Sequence, residues 1–299
     1  MNRCPQLALL ALATSWLCHA SGCAMLGSYS PLASSERKSI FQPQKYPTGD
    51  WQPTTVLVND AYFTSADGVK LHGWYVRHPE PKAHALFLHG NAGNITILAE
   101  TLRILNRRHN LAVLALDYRG YGRSEGKPSE QGVLLDARAA RKWLAEKEGI
   151  AESDVLLLGL SLGGGVAVDL ASQDGARGLV LASTFTSLPD VAQHHLPYLP
   201  MSWLMTHRMN SLEKIKSYRG PLLLSHGDAD EVIPYEQGLA LYQAAPGPKK
   251  LITVSGGKHN DPQPEEYRVA FDQFLADLPP LGGSTVQPAS VEVSAEGLR

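Results

Sequence analysis

Cysteine is almost missing from this chain. Its 299 residues include three, Cys4, Cys18 and Cys23, and none follows Cys23. Beyond that point there is no disulfide framework and no thiolate metal site. An excess of either charge is missing too. With 27 Lys and Arg against 29 Asp and Glu, the formal net charge is −2, which gives no basis for a nucleic-acid partner or an acidic surface. Long hydrophobic runs are missing outside the N-terminal segment, and no internal repeat is visible. What remains, 43 % hydrophobic and 19 % charged, suits a globular domain with one large core.

The N-terminal segment is the exception. Arg3 precedes the apolar run Leu7–Ala13, which continues to Trp16-Leu17 and is followed by the small residues Ala20-Ser21-Gly22. That is the layout of a secretory signal, too short for a comfortable membrane span. Ala20-Ser21-Gly22-Cys23 resembles a bacterial lipobox, in which cleavage leaves the cysteine as a lipid-modified first residue; Ala20 departs from the larger aliphatic residue that the pattern prefers. The rival reading is ordinary secretion with cleavage near Ala20 or Ala24. By resemblance to enterobacterial sorting, Ala24 in place of aspartate points to an outer-membrane lipoprotein facing the periplasm. Several acyl chains on Cys23 would make the membrane a firm partner. The expected layout is a signal peptide over 1–22, a lipid-anchored or secreted tether over 23–52, one domain over 53–279, and a disordered tail over 280–299.

The tether assignment rests on Ser, Pro and Gln without apolar periodicity. After it, Thr54–Phe63 and Val69–Val76 alternate as strands around the turn signal Ala66-Asp67-Gly68. Short apolar runs then alternate with amphipathic stretches. Strands are expected at Ala83–Leu88, Leu111–Leu116, Val155–Leu158, Leu179–Ala182, Pro221–Ser225 and Lys250–Val254. Helices are expected at Ile95–Arg108, Val133–Lys147, after Ser161, near Gln237–Ala244 and near Glu265–Leu278. That alternation argues for an α/β fold with parallel strands and right-handed crossovers.

The run Val155-Leu156-Leu157-Leu158 feeds directly into Gly159-Leu160-Ser161-Leu162-Gly163. Gly-x-Ser-x-Gly between a strand and a helix describes a nucleophile elbow, with the serine at the apex and room made by the flanking glycines. The N–H of Leu162 would then face a forming oxyanion. A serine hydroxyl needs a base, and the base needs a carboxylate to orient it. Both are available on loops after later strands, in His226-Gly227-Asp228-Ala229-Asp230-Glu231-Val232-Ile233-Pro234 and in Gly257-Lys258-His259-Asn260. Strand ends on that edge of a parallel sheet are where ligands bind.

With His89-Gly90-Asn91-Ala92-Gly93-Asn94 and Asp117-Tyr118-Arg119-Gly120-Tyr121-Gly122 added, the chain from Phe63 to Leu278 resembles the α/β-hydrolase superfamily, in particular its Bem46-like branch. The resemblance implies an α/β-hydrolase fold: a mostly parallel eight-stranded sheet, helices on both faces and a minimal lid. It implies Ser161 as nucleophile, Asp230 as orienting acid, His259 as general base, and the backbone N–H groups of Asn91 and Leu162 as the oxyanion hole. No cofactor and no metal are implied.

Plainer assignments stand beside these. Asp228 is a rival for the orienting acid, and His259 could be a loop histidine. His89 and His226, each ending a buried strand, read as structural. His194-His195 has no third ligand nearby for a metal. Asp117–Gly122 is expected to shape the pocket rim, and Asp136 and Arg138 to lie on a solvated helix face. Between Thr184 and Arg219 there is room for one or two short helices, and Leu196–Met205 either line an acyl pocket or cover the sheet edge. The expected activity is hydrolysis of a small-molecule carboxylic ester, with thioesters or amides as variants. An acyltransferase or serine aminopeptidase on the same fold, or a non-catalytic envelope binding protein, are the alternatives.

Overall fold

The structure is a computed structural model and describes residues 31–282. The expected signal peptide, Cys23 and most of the expected tail lie outside the described residues. The fold is a sheet of eight strands in the order β10-β9-β8-β7-β4-β6-β3-β2. Its strands are β2 (Asn59–Thr64), β3 (Lys70–Val76), β4 (Ala83–Leu88), β6 (Leu111–Asp117), β7 (Leu156–Leu160), β8 (Gly178–Ala182), β9 (Leu222–Gly227) and β10 (Lys249–Val254). Two more short strands, β1 (Gln42–Pro43) and β5 (Ala92–Gly93), pair with each other alone. β2 and β3 form an antiparallel hairpin, β3 is antiparallel to β6, and every other neighbour in the large sheet is parallel.

The central strands are buried on both faces, which is why they read as continuous apolar runs rather than as alternation. The period of two survives in where their side chains go. On β4, Leu86 and Leu88 join one core with helices α3 (Glu130–Glu148), α4 (Leu162–Asp174) and α8 (Tyr235–Ala244). Ala85 and Phe87 point the other way, into a second core with α2 (Ala99–Arg107) and α9 (Glu265–Ala276). Helices on both faces thus follow directly from apolar side chains on both faces. Each leucine so buried contributes roughly 1.5–3 kcal/mol of transfer free energy.

Local chemistry fixes the ends of these elements. Ser129 caps α3 by accepting from the Gly132 N–H, and Gly149 closes it at φ 65°. Between β8 and β9 lie three short helices, α5 (Leu188–His195), α6 (Met201–Leu204) and α7 (Ser211–Lys214), which form the lid region.

Two expectations need correction here. Of the expected tether, residues 31–52 belong to the folded body: α1 (Pro31–Ile40) leads into β1, and Phe41 between them is 2 % exposed. One buried ring, a short strand pairing and scattered polar contacts hold this segment, so no apolar period advertises it. Asp136 is not solvated either. It is fully buried and receives the Arg119 backbone N–H and guanidinium. Burial raises its pKa even against that pairing. Arg138 is partly exposed and pairs with Asp169 and Asp174.

Candidate active site

Ser161 sits between β7 and α4 at φ 51°, ψ −117°, a region that L residues avoid. The elbow holds this strain because it packs without clearance. A Cβ on Gly163 would lie 2.0 Å from the Leu88 carbonyl oxygen, and one on Gly159 2.7 Å from the Gly163 oxygen. The Ser161 N–H donates to Ala182 O at 2.9 Å, and Thr184 Oγ1 donates to Ser161 O at 2.9 Å. The serine is therefore fixed from β8 as well as from its own strand.

His259 Nε2 lies 3.1 Å from Ser161 Oγ, and His259 Nδ1 lies 2.8 Å from Asp230 Oδ2. A carboxylate accepts at Nδ1, so that nitrogen carries the proton and Nε2 presents its lone pair to the serine hydroxyl. The side chain of Asp230 is fully buried. Its Oδ1 accepts the N–H groups of Val232 and Ile233, both at 2.9 Å, and His226 Nε2 stands 3.2 Å from Oδ2. Burial alone would raise the Asp230 pKa, but hydrogen bonds from His226, His259 and the Ile233 N–H outweigh it and hold the carboxyl well below the usual carboxylate range. Asp228 faces elsewhere, accepting the Gly256 N–H at 2.6 Å.

Leu162 is the first residue of α4, so its N–H belongs to the positive end of that helix. Asn91 lines the same cavity as Ser161 and His259. The loop that carries it is held from several sides. The Asn91 carbonyl accepts from the Gln42 N–H at 2.9 Å and from the Tyr121 hydroxyl at 2.6 Å. The Ile95 N–H donates to buried Asp117 at 2.9 Å, and the Asn94 side-chain amide donates to Thr48 O at 2.8 Å. Asp117–Gly122 thus supports this loop from behind rather than forming the pocket rim, and Tyr118 and Tyr121 are fully buried.

Sequence reasoning missed two contributors. His226 reads as a structural histidine, and its second role as a donor to Asp230 needs the loop to fold back on β9. The segment 35–44 carries no motif at all. Yet it pairs with the Asn91 loop through β1, and Glu36, Ser39 and Ile40 line the cavity.

That cavity measures about 790 Å³ and opens on Ser161. The lid region supplies much of its wall, through Leu188, Leu196, Leu199, Leu204 and Met205, with Phe185 beneath. The lid residues do line a pocket. Its lining includes no Lys or Arg and a single carboxylate, Glu36. Both Glu36 oxygens are taken up by the backbone N–H groups of Thr206 and His207 and by their side chains, which closes α1 against the lid. His195 Nε2 is within hydrogen-bond distance of Val232 O, at 2.9 Å.

An open, mostly parallel sheet with a strained serine at a strand–helix elbow, and its histidine and acid on later loops, defines the α/β-hydrolase class. The chain belongs to the α/β-hydrolase superfamily. Residues 79–213 match the family described as serine aminopeptidase S33 (Hydrolase_4). An uncharacterized protein of Mycobacterium tuberculosis is 36 % identical over 290 residues, covering 94 % of this chain and 99 % of that protein. Protein bem46 of Schizosaccharomyces pombe is 30 % identical, with 81 % of this chain and 86 % of that protein covered. The α/β hydrolase domain-containing protein WAV2 of Arabidopsis thaliana is 33 % identical, with 69 % and 73 % covered. Among solved structures, an esterase of Pyrococcus furiosus superposes with a TM-score of 0.68 at 24 % identity, over 80 % of this chain and 98 % of that one. That likeness is one of fold.

Proposed function

We propose that this hydrolase cleaves carboxylic esters through a covalent acyl-enzyme on Ser161. One observation carries the reading: the hydrogen-bonded row Ser161–His259–Asp230 opens onto a mostly apolar cavity whose lining holds no Lys or Arg and, as its one carboxylate, an already engaged Glu36. In this reading His259 Nε2 takes the Ser161 proton as Oγ attacks the acyl carbonyl carbon. The tetrahedral oxyanion is met by the N–H groups of Leu162 and Asn91, and loss of one such donor typically costs about 3–4 kcal/mol. Collapse breaks the bond to the leaving alcohol, which receives the proton from His259. Water, deprotonated by the same nitrogen, then releases the acid. Asp230 holds the imidazole tautomer throughout and stabilises the imidazolium.

The description of the matching family favours a second reading, cleavage of an N-terminal peptide bond. An aminopeptidase has to hold the substrate's ammonium group, and the one carboxylate in this lining is committed to Thr206 and His207. The ester reading fits this chemistry better. We further propose that Cys23 is lipid-modified and anchors the enzyme at the outer membrane, which the Cys23→Ser variant tests. Wild type should incorporate labelled palmitate and fractionate with membranes; the variant should do neither.

The decisive assay uses p-nitrophenyl esters of graded chain length and an aminoacyl p-nitroanilide, with Ser161→Ala in parallel. Ester turnover that disappears in a folded Ser161→Ala protein is the expected result. Turnover retained by the variant would remove Ser161 as nucleophile, and preference for the anilide would favour the peptidase reading.

A further inference from the structure

The mouth of the cavity carries a surface that the proposed hydrolysis does not use. From Val191 to His207 the sequence has no Lys, Arg, Asp or Glu. Within that stretch Tyr198 is 97 % exposed and Trp203 87 % exposed, and neither lines the cavity. Leu196, Leu199 and Leu204 flank them, each lining the cavity while remaining exposed to solvent, as do Ile97 and Val232 across the opening. A globular protein seldom leaves so many large apolar groups together without a partner. Tryptophan and tyrosine standing out beside aliphatic side chains, with the Arg208 guanidinium held on Ser202 O at 2.8 Å next to Trp203, have the composition that favours the boundary between lipid headgroups and acyl chains.

The chain before α1 says which partner this is. Its apolar run Leu7–Leu17 and Cys23 lie just upstream, and Pro31 follows Cys23 by eight residues. Fully extended, eight residues reach at most about 28 Å. α1 itself lines the cavity through Ser35, Glu36, Ser39 and Ile40. An anchor at Cys23 would therefore hold a membrane within about 28 Å of the start of a helix whose later residues line the cavity.

We infer that Tyr198, Trp203 and their aliphatic neighbours seat the cavity mouth on a phospholipid bilayer, so that ester substrates pass from the membrane to Ser161. The route to Ser161 rests on the proposed esterase activity, and the choice of the bilayer as occupant on the proposed anchoring through Cys23. The occupant is the bilayer rather than a second copy of the chain, because Cys23, the proposed anchor, precedes by only eight residues the helix that lines the cavity.

The test uses the full chain and vesicles made of equal parts dibrominated phosphatidylcholine and phosphatidylglycerol. The difference in fluorescence between wild type and Trp203→Phe isolates Trp203 from the other tryptophans. Bromine should quench that difference signal, and an unquenched signal would overturn the inference. A Tyr198→Ser/Trp203→Ser double variant should hydrolyse a soluble short-chain ester at the wild-type rate. On a long-chain ester dissolved in the vesicles it should fall roughly tenfold. Equal rates for variant and wild type on the vesicle substrate would also overturn the inference. If no ester is turned over at all, the esterase reading fails while the quenching measurement still decides the seating. A lipid-free dimer in sedimentation velocity, dissolved by the double variant, would assign the surface to a second copy instead.

Discussion

His226 does two jobs with one nitrogen. Its Nε2 lies 2.9 Å from Ile233 O and 3.2 Å from Asp230 Oδ2, so a single N–H is shared between the loop backbone and the acid. His226→Leu removes it and leaves the buried carboxylate one donor short. The expected loss in urea unfolding is about 1.5–3 kcal/mol, the scale of a hydrogen bond to a charged group. The pH dependence has a definite sign. A carboxyl held below its ordinary value stabilises the fold fully above that ordinary value, and the benefit is lost as pH falls through the lowered value. In His226→Leu the Asp230 value climbs back, so acid unfolding followed by circular dichroism should begin at a higher pH than in wild type. Asp230→Asn should lower kcat by roughly 10⁴, since the imidazole loses its required tautomer. The sequence carried Ser161, Asp230 and His259 because each sits in a fixed local pattern after a strand. It did not carry the burial of Asp136, because only the approach of Arg119 from another loop makes that position habitable for a charge.

At the scale of elements, the informative failure is the N-terminal strap. Residues 31–52 have no apolar period, so a helix and a strand there depend on tertiary partners alone: Phe41 in the core, Glu36 on the lid, Gln42 on the Asn91 loop. Gln42 already precedes Pro43, which confines it to extended backbone. Gln42→Pro should therefore keep the path of the chain while deleting the N–H that holds the Asn91 carbonyl. Its kcat should fall about tenfold with KM little changed, because the misplaced donor matters only once the oxyanion forms. Gln42→Ala keeps the backbone N–H and should match wild type. Glu36 closes the other end of the strap. Burial raises its pKa, but hydrogen bonds from His207 and Thr206 together with His207 charge bring it below its ordinary value. The latch is thus complete at neutral pH and opens only in acid below the ordinary carboxylate range. Amide exchange along α1 should stay slow from neutrality down to that range and rise beneath it. The main strands and helices, by contrast, were legible to within about five residues at their ends, since each carries a local signal: an apolar run, an alternation, an amphipathic period or the elbow motif.

The whole molecule gathers its site from nearly its entire length. Removing residues 1–30 should leave thermal unfolding and ester turnover as they are, whereas removal through Pro43 should lower the melting temperature by several degrees and cost most of the turnover. Calorimetry and initial rates on the two truncations check where the domain begins. The parallel order of the sheet was legible from the alternation of strand and helix, but the closure of the strap over the oxyanion loop was not, because contacts between residues 42 and 91 leave no local trace. That spread also imposes an order in time. Ser161 leaves the ribosome 98 residues ahead of His259, the proposed base, and Asp230 on the loop after β9 arrives between them. On the proposed mechanism, a chain still being made, or still being threaded through a membrane, carries the serine without its base and would be inert toward every ester it meets on the way. The enzyme cannot act in the compartment where it is built unless it also finishes folding there.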